Sequence, residues 1–246
     1  MEVHHHPEVE KKGFKEYIFE GLMIFLAVMM GFFAESLREH IADKHREREY
    51  MISMVEDLRS DTVTLSALVA HEKSRITMAD SLIRLLYSAN VKQEGNNIYF
   101  FARNISVVYQ VIFNDRTRQQ LKNSGSMRLL SSVKVSNGIM AYDQGLRETE
   151  FQMSQIESLR QSYREAAEKI FNMKIFNDML RGGKIERPVG NPQLFSADAA
   201  SINTCVGTIQ YVKNASIIQS RAASELLKKA VELIKLIKKE YNLEDE

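Results

Sequence analysis

The chain has 246 residues, enough for one or two domains at roughly 150 residues each, and its 33 lysines and arginines nearly cancel its 32 aspartates and glutamates. A formal net charge of +1 disfavours the strongly basic surface of a nucleic-acid-binding domain, so we expect no nucleic-acid partner. The single cysteine, Cys205, excludes both an intrachain disulfide and a cysteine-built zinc site.

An uncharged apolar segment near the N-terminus is the strongest local signal. Residues 21–34 read GLMIFLAVMMGFFA, and residues 17–19 extend the apolar block across Glu20. A helix over residues 17–34 would be about 27 Å long at about 1.5 Å per residue, close to the roughly 30 Å hydrocarbon core of a bilayer. The central helix of a soluble bundle, the main alternative, would show a polar stripe that residues 21–34 lack. The pattern therefore predicts a single-pass membrane protein in contact with the lipid bilayer.

The flanks of this segment set the predicted domain boundaries: an N-terminal tail over residues 1–16, a transmembrane helix over residues 17–37 and a helical extramembrane domain over residues 38–246. A cleaved signal peptide is disfavoured, because Phe32 occupies the position where a cut after Ala34 would need a small residue. Three Lys/Arg before the segment and four after it do not decide its orientation. A short cytoplasmic tail is the ordinary arrangement of an uncleaved signal anchor, so we expect the domain after the segment to be periplasmic or otherwise extracytoplasmic.

Four residues of the apolar segment are candidates for membrane contact or helix association. Glu20 lies about three residues from the boundary, where a carboxylate can reach the headgroups, although a role with a partner or a proton stays open. Ala27 and Gly31 form a small-xxx-small pair, with Ala34 one turn further on, and this spacing lets two helix backbones approach closely. The alternative for these small residues is that they simply face lipid.

The longest predicted helix includes the apolar segment and continues beyond it. Residues 32–94 contain neither glycine nor proline, which predicts one helix from Tyr17 to about Tyr87, with residues 61–64 as the place where a bend or break would fall. Residues 35–49 are so rich in charge that we interpret them as a stalk. Beyond them, apolar residues recur at helical spacing: Tyr50, Met54, Leu58, Val63 or Leu65, Leu68 and Val69.

The middle of the chain combines a strand-like stretch with clear turn signals. Residues 98–113, IYFFARNISVVYQVIF, have strand composition, but we predict a buried helix because the stretch is long and has no partner strand of similar strength. Asn114 and Asp115 are expected to cap a short helix over residues 116–121. Gly125 closes the connection that follows.

The C-terminal half is predicted to be helical apart from one loop. We expect helices over residues 126–145 and 146–181, the loop over residues 182–195, and a final helix capped by Ser196 or Asp198 and interrupted near Asn214, which ends at about Tyr241. On the second of these helices we expect a buried face formed by Phe151, Ile156, Leu159, Tyr163, Ala166 or Ala167, Ile170 and Met173. On the final helix, a short a/d seam is formed by Ala223, Leu227, Ala230, Ile234, Ile237 and Tyr241. This seam would pack against the protein's own first helix or, alternatively, against a second copy.

The sequence thus predicts an all-α fold: an N-terminal transmembrane helix that continues into a long helical stalk and an elongated antiparallel helical bundle. Within it, Gly125 and Arg128 are expected to be the most constrained positions outside the membrane, as a turn residue and an ion-pair residue.

Motifs that carry chemistry are missing from the sequence. It has no glycine-rich phosphate loop, nucleophile elbow, HExxH or EF-hand pattern, so we expect neither an enzyme nor a cofactor. His40, Asp43 and Glu47 share a helix face, but charges alternate around them, and we interpret the face as solvated. The basic residues of the middle segment are interpreted as an ion-pair set: Arg116, Arg118, Lys122 and Arg128.

Two blocks of the sequence carry a recognisable pattern. The first is HHHPEVEKKGFKEYIFEGLMIFLAVMMGFFAESLREH with the later REREYMISMVEDLRSDT, and the second is NDRTRQQLKNSGSMRLLSSVKVSNGIMAYD. Together they resemble a family of uncharacterised single-pass membrane proteins common in the Bacteroidota. The residues of the second block that match the family's central pattern are Thr117, Leu121, Lys122, Ser124, Gly125, Arg128, Leu129 and Tyr142. The resemblance implies location in the cell envelope and an α-helical fold, and it implies no chemistry.

These observations favour a non-enzymatic, membrane-anchored helical scaffold, sensor or accessory subunit of an envelope complex, with a protein partner or a second copy of the chain. The alternative is an oligomeric component that handles an ion or a small molecule, in which a bundle of N-terminal helices places Glu20 along a polar path.

Overall fold

The computed structural model describes residues 13–243, and this part of the chain is all-α apart from one short hairpin. Most of the predicted N-terminal tail lies outside the described residues. The elements in chain order are α1 (Phe14–Leu86), α2 (Gly95–Ile105), α3 (Arg116–Asn123), a 3-10 helix (Ser126–Leu129), α4 (Val133–Ala167), α5 (Met173–Asp178), β1 (Leu180–Arg181), β2 (Lys184–Ile185) and α6 (Ala199–Tyr241).

The chain divides into two compact units, Met1–Glu49 and Tyr50–Glu246, and α1 contributes residues to both. In the first unit, residues 13–41 are all exposed. The second unit contains the helical bundle. The predicted single helix from Tyr17 to about Tyr87 is confirmed, and it continues through residues 61–64 without the break considered there.

Three long helices form the bundle of the second unit. Helix α6 runs antiparallel to α4, because Gly138 faces Leu233 while Gly145 faces Leu226. A salt bridge of 2.5 Å joins Asp80 of α1 to Lys213 of α6, and Tyr87, the residue after α1, donates a hydrogen bond to Asn203, which lies earlier in α6. Helix α6 is therefore antiparallel to α1 as well. The predicted antiparallel helical bundle is confirmed.

Along each long helix, buried residues recur alternately three and four positions apart, which is the spacing of a coiled-coil seam. On α1 these buried residues are Met51, Met54, Leu58, Asp61, Leu65, Leu68, Glu72, Arg75, Ala79, Leu82 and Leu86. On α6 they are Cys205, Ile209, Val212, Ser216, Gln219, Ala223, Leu226, Ala230, Leu233 and Ile237. The seam predicted for α6 is confirmed at Ala223, Ala230 and Ile237. Between them the buried residues are Leu226 and Leu233, each one position before the predicted Leu227 and Ile234.

Predicted core faces on the other helices are also refined. Val63 is 71% exposed, so Leu65 is the core residue of the predicted alternatives Val63 and Leu65. Phe151 is 60% exposed, so the buried face of α4 begins later than predicted. Ile156, Tyr163 and the alanines that follow are buried as predicted.

The buried apolar residues form two separate clusters along the bundle. One cluster joins α1 up to Leu68 with the first part of α4 and the last part of α6. The other joins α1 from Ala79 onward with α2, the region around α5 and the first part of α6. The stretch between Leu68 and Ala79 therefore belongs to neither apolar cluster, and its buried side chains are polar.

Helix α4 is one continuous helix, so the predicted division near residue 145 is wrong. Gly138 and Gly145 both lie inside it and mark close packing: a Cβ atom would lie 2.8 Å from Leu233 Cδ1 at the first position and 2.9 Å from Leu226 Cδ1 at the second. Helix α6 likewise shows no interruption near Asn214. Of the two predicted caps, Asp198 is the one found: its carboxylate accepts a hydrogen bond of 2.8 Å from the Ser201 N–H.

The prediction of a helix over residues 98–113 is correct only for its first part. Helix α2 ends at Ile105, and residues 107–115 are irregular. Their end is held from α1, where Asp61 Oδ1 accepts a hydrogen bond of 2.8 Å from the Asn114 N–H. Side chains of another helix thus satisfy backbone donors here, which removes the need for local helix formation.

The predicted loop over residues 182–195 begins with a hairpin. Gly182 and Gly183 form its turn between β1 and β2. Further along, the loop contacts the start of α2, where the Gly95 N–H donates a hydrogen bond of 2.7 Å to Asn191 Oδ1. A Cβ atom at Gly95 would lie 2.1 Å from the carbonyl oxygen of Pro192, so no other residue fits there without a shift of backbone.

Candidate functional site

The apolar segment of α1 is the first candidate site. Its most apolar 18-residue window has a mean hydropathy of 2.0, and none of that window is buried. Large side chains in it are about half exposed or more, from Leu22 at 48% to Met30 at 71%. By length and composition this helix is able to cross a membrane.

The four residues predicted to mediate membrane contact or helix association lie on one face of α1. Glu20, Ala27, Gly31 and Ala34 are separated by seven, four and three residues, which returns each to nearly the same side of a helix. All four are exposed. A Cβ atom at Gly31 would meet no atom within 4 Å. The face is therefore open, and it combines three small residues with one carboxylate.

The two positions predicted to be constrained outside the membrane differ in the structure. Gly125 has φ of +68°, a left-handed conformation that favours glycine, and it joins α3 to the 3-10 helix as predicted. Arg128 is exposed, and within residues 13–243 no ion pair involves its guanidinium. The ion-pair role expected of Arg128 belongs instead to Arg118.

The predicted basic cluster is organised around a buried carboxylate, Asp143 of α4. Arg118 forms a salt bridge of 2.7 Å with it, and both side chains are almost completely buried. Lys122 and Arg147 donate hydrogen bonds to the other carboxylate oxygen. Burial raises the pKa of Asp143, but the hydrogen bonds from Lys122, Arg118 and Arg147 outweigh it, so this pKa lies below its usual range.

Two aspartates of α1 hold the N-terminus of α3. Asp57 accepts a hydrogen bond of 3.0 Å from the Thr117 N–H, and it pairs with Arg116 at 3.2 Å. Asp61 accepts hydrogen bonds from the Asn114 N–H and from the Tyr142 hydroxyl, each 2.8 Å long. The predicted cap residue Asp115 makes no side-chain capping bond to the backbone; its carboxylate accepts a hydrogen bond of 3.3 Å from the Gln119 side chain, and α1 supplies the acceptors for the backbone.

Between the two apolar clusters lies a group of buried polar residues, which we name the polar layer: Glu72, Arg75, Arg160, Ser216 and Gln219. Each occupies a seam position of α1, α4 or α6, where apolar residues stand in the neighbouring turns. Arg75 Nη1 donates to both carboxylate oxygens of Glu72 at 2.6 Å. This pair is buried within one helix turn, and it places two opposite charges inside the bundle.

The segment after α2 covers the polar layer. Arg75 Nη2 donates a hydrogen bond of 3.0 Å to the Val107 carbonyl and contacts His71 Nε2 at 2.8 Å. Burial and the nearby Arg75 lower the pKa of His71, which keeps the imidazole neutral, so that Nε2 accepts from Arg75. The His71 ring stacks on Tyr109 with centroids 4.6 Å apart. Tyr109 is thereby positioned over the polar layer.

A cavity of about 300 Å³ opens at this place. Its apolar lining includes Leu68 and Ile156, and its polar lining includes Glu72, Tyr109, Gln110, Glu157, Arg160 and Gln219. Gln219 is completely buried, yet neither its amide nitrogen nor its amide oxygen has a hydrogen-bond partner within the described chain. A buried amide without partners is costly, so the cavity is chemically equipped to hold a polar occupant.

Sequence reasoning missed this site, although a signal was present. The three-four spacing on α1 continues from Leu68 through Glu72 and Arg75 to Ala79, and the spacing on α6 continues through Ser216 and Gln219. Polar residues in an unbroken heptad phase indicate a polar layer in a bundle core. The seam predicted for α6 began only at Ala223, whereas the same phase extends back through Gln219 and Ser216 to Cys205.

Within the described part of the chain, no side chains are arranged to bind a metal ion or to supply a reactive thiolate. Among residues 13–243, no group of three His, Cys, Asp or Glu side chains is placed to hold a metal ion. In the predicted face of His40, Asp43 and Glu47, Asp43 pairs with Arg46 and Glu47 pairs with Lys44. Burial raises the pKa of the Cys205 thiol to about 12, so it is protonated at neutral pH.

Comparison with known proteins yields no relative on which to base a function. No protein-family model matches the chain, and neither a curated protein nor a solved structure matches it significantly. The functional argument therefore depends on the exposed apolar segment and the helical body.

Proposed function

We propose that the protein is a non-enzymatic, membrane-anchored helical scaffold, sensor or accessory subunit of an envelope complex. The observation that carries this proposal is the apolar window of α1, which is long enough to cross a bilayer and is completely unburied. Contiguous exposed apolar surface of this size is unfavourable in water and marks a site of lipid or protein contact. A buried core helix, the main alternative for such a segment, would be covered by the rest of the chain.

We propose further that the chain crosses a bacterial inner membrane once and that its helical body lies in the periplasm. The support for this is the long folded domain that follows the apolar segment, as in an uncleaved signal anchor. The resemblance to single-pass membrane proteins of the Bacteroidota points the same way.

The anchoring test compares a double arginine variant in the apolar window of α1 with a single arginine variant elsewhere in the same helix. Leu26→Arg combined with Met30→Arg places two charges in the apolar window, at about 3 kcal/mol each near a bilayer centre. Val63→Arg is the matched control, since Val63 is as exposed as Met30, at 71%, but lies in the second unit. Wild type and control are expected to stay in the membrane pellet after carbonate washing, and the double variant to move to the supernatant. Release of the wild-type chain by carbonate would contradict the proposal.

The scaffold or accessory role predicts a bound protein. After extraction in mild detergent, an affinity-purified chain is expected to retain a stoichiometric partner or a second copy, identified by mass spectrometry and native mass. A chain recovered as a monomer without any partner would count against this role.

The ion-handling alternative is favoured by one observation, the position of Glu20 on the same face as three small residues. Association of helices through this face would bring several Glu20 carboxylates together within the bilayer. Glu20→Gln removes the charge and keeps the shape, so unchanged growth and ion flux in this variant would exclude the alternative.

A further inference from the structure

We propose that the cavity beside Gln219 binds a small zwitterionic molecule of the α-amino-acid class. The inference goes beyond the anchoring function, because the cavity lies entirely in the second unit and its chemistry does not depend on a membrane. It would make the helical body a receptor for a small molecule.

The unpartnered amide of Gln219 requires an occupant with both hydrogen-bonding roles. Its nitrogen donates and its oxygen accepts, and both atoms are buried without a partner in the described chain. Gln219 lines the cavity, so an occupant there is within reach of both atoms. A purely apolar ligand would leave the amide unsatisfied.

The charges of the lining select an occupant that carries both signs. Glu72 and Glu157 line the cavity together with Arg160, and Arg75 lies directly behind Glu72. A simple anion would face the two glutamates, and a simple cation would face the arginines. A zwitterion can direct its carboxylate to Arg160 and its ammonium group to Glu72 or Glu157.

Arg160 and Glu72 keep donor and acceptor sites with which to bind such a ligand. Arg160 donates to Glu157 through Nε and pairs with it through Nη2, at 2.9 and 2.7 Å, which leaves Nη1 without a partner in the described chain. Both carboxylate oxygens of Glu72 accept from the same nitrogen of Arg75, so each keeps a further lone pair.

The size of the cavity limits the class of molecule. About 300 Å³ is at the lower end of ligand pockets, which suits one small metabolite and is too small for a nucleotide or a peptide. Leu68, Met153 and Ile156 give part of the wall apolar character, which fits a hydrocarbon side chain next to the charged head group. These features together describe an amino acid.

The test measures thermal unfolding of the full chain in detergent micelles, with each standard L-amino acid added separately at millimolar concentration. At about a hundredfold its Kd, a ligand of the native state is expected to raise Tm by about 5 °C or more. The amine that lacks the carboxylate and the acid that lacks the amino group are expected to give no shift. Absence of a shift with every amino acid would indicate a cavity filled only by water and would overturn the proposal.

Two variants connect the shift to this cavity. Gln219→Leu removes the unpartnered amide at nearly constant volume, so we expect the variant to fold and the ligand-induced shift to disappear. Gln210→Leu is the matched control on an exposed position of the same helix, and it is expected to keep the full shift. Met153→Phe, which narrows the cavity from its half-buried wall, provides a second test that does not depend on Gln219. A shift that survives in Gln219→Leu or in Met153→Phe would overturn the proposal.

Discussion

Two buried aspartates show how the neighbours of a carboxylate decide its ionisation. Asp61 accepts only from neutral donors, the Asn114 N–H and the Tyr142 hydroxyl, and burial raises its pKa in spite of them. Asp143 is surrounded by three cations, and its pKa is lowered although burial alone would raise it. The same residue type therefore contributes oppositely to the pH dependence of stability at two places in one bundle.

Asp143 is expected to make the folded state sensitive to acid. Because its folded pKa is depressed, its contribution is complete above its unfolded pKa of about 4 and is lost as the pH falls through the folded pKa. Asp143→Asn should lower the free energy of unfolding near neutral pH by about 2 kcal/mol, and should reduce the decline below about pH 4. Urea unfolding at a series of pH values measures both effects.

Asp178→Asn is the control for this experiment, since Asp178 is exposed and lies outside the Asp143 cluster. It is expected to reproduce the wild-type profile. If Asp143→Asn loses stability in acid as steeply as the wild type, the cluster does not account for the acid sensitivity.

At the scale of elements, the sequence predicts helices well and their breaks poorly. The lack of glycine and proline over residues 32–94 correctly predicts most of α1. Gly145 suggested a boundary because an isolated glycine weakens a helix, yet α4 passes through it. Close packing against Leu226 explains that glycine, and this reason is tertiary, so it is invisible in the local pattern.

The missed irregular segment has a similar explanation. A helix would satisfy the backbone of residues 107–113 within the segment itself, and a strand would need a partner strand. Its end is instead held by Asp61, which is distant in sequence and lay where the first helix was expected to weaken. For the candidate sites, the apolar segment was predictable from composition alone, whereas the cavity required knowing which turns of three helices face one another.

Gly95 is expected to be the least replaceable glycine at an element boundary. Gly95→Ala would place a Cβ atom against the backbone of Pro192 and should destabilise the fold by about 3 kcal/mol, near the upper end for overpacking. Gly207→Ala is the matched control, because a Cβ atom there meets nothing within 4 Å and a helix interior favours alanine by about 1 kcal/mol. Chemical unfolding should give changes of opposite sign, and equal changes would refute the close contact.

For the whole molecule, the two units have surfaces of different kinds. The described part of Met1–Glu49 presents exposed apolar side chains to its surroundings, whereas Tyr50–Glu246 buries its apolar residues in two clusters. Such a difference is typical of a chain that meets two solvents, lipid and water. Composition alone predicts an apolar segment followed by a helical body, but a partner leaves no comparable trace in a single sequence.

Orientation is the whole-chain property that distinguishes a periplasmic body from a cytoplasmic one. Alkaline phosphatase fused after Glu246 is expected to be active in living bacteria, because that enzyme needs the periplasm to form its disulfides. The control is a fusion after residue 16, which lacks the apolar segment and should stay inactive. Activity of the short fusion, or inactivity of the long one, would contradict the predicted orientation.

The polar layer also has a consequence for the alignment of the helices. The heptad pattern of α6 repeats from Cys205 to Ile237, so its apolar residues alone would permit α6 to slide by seven residues against α1 and α4. Such a slide would bring hydrocarbon side chains of α6 against the charged pair Glu72 and Arg75. Burying these charges against hydrocarbon would cost about 1–3 kcal/mol for each group, so the polar layer favours one register of the three helices.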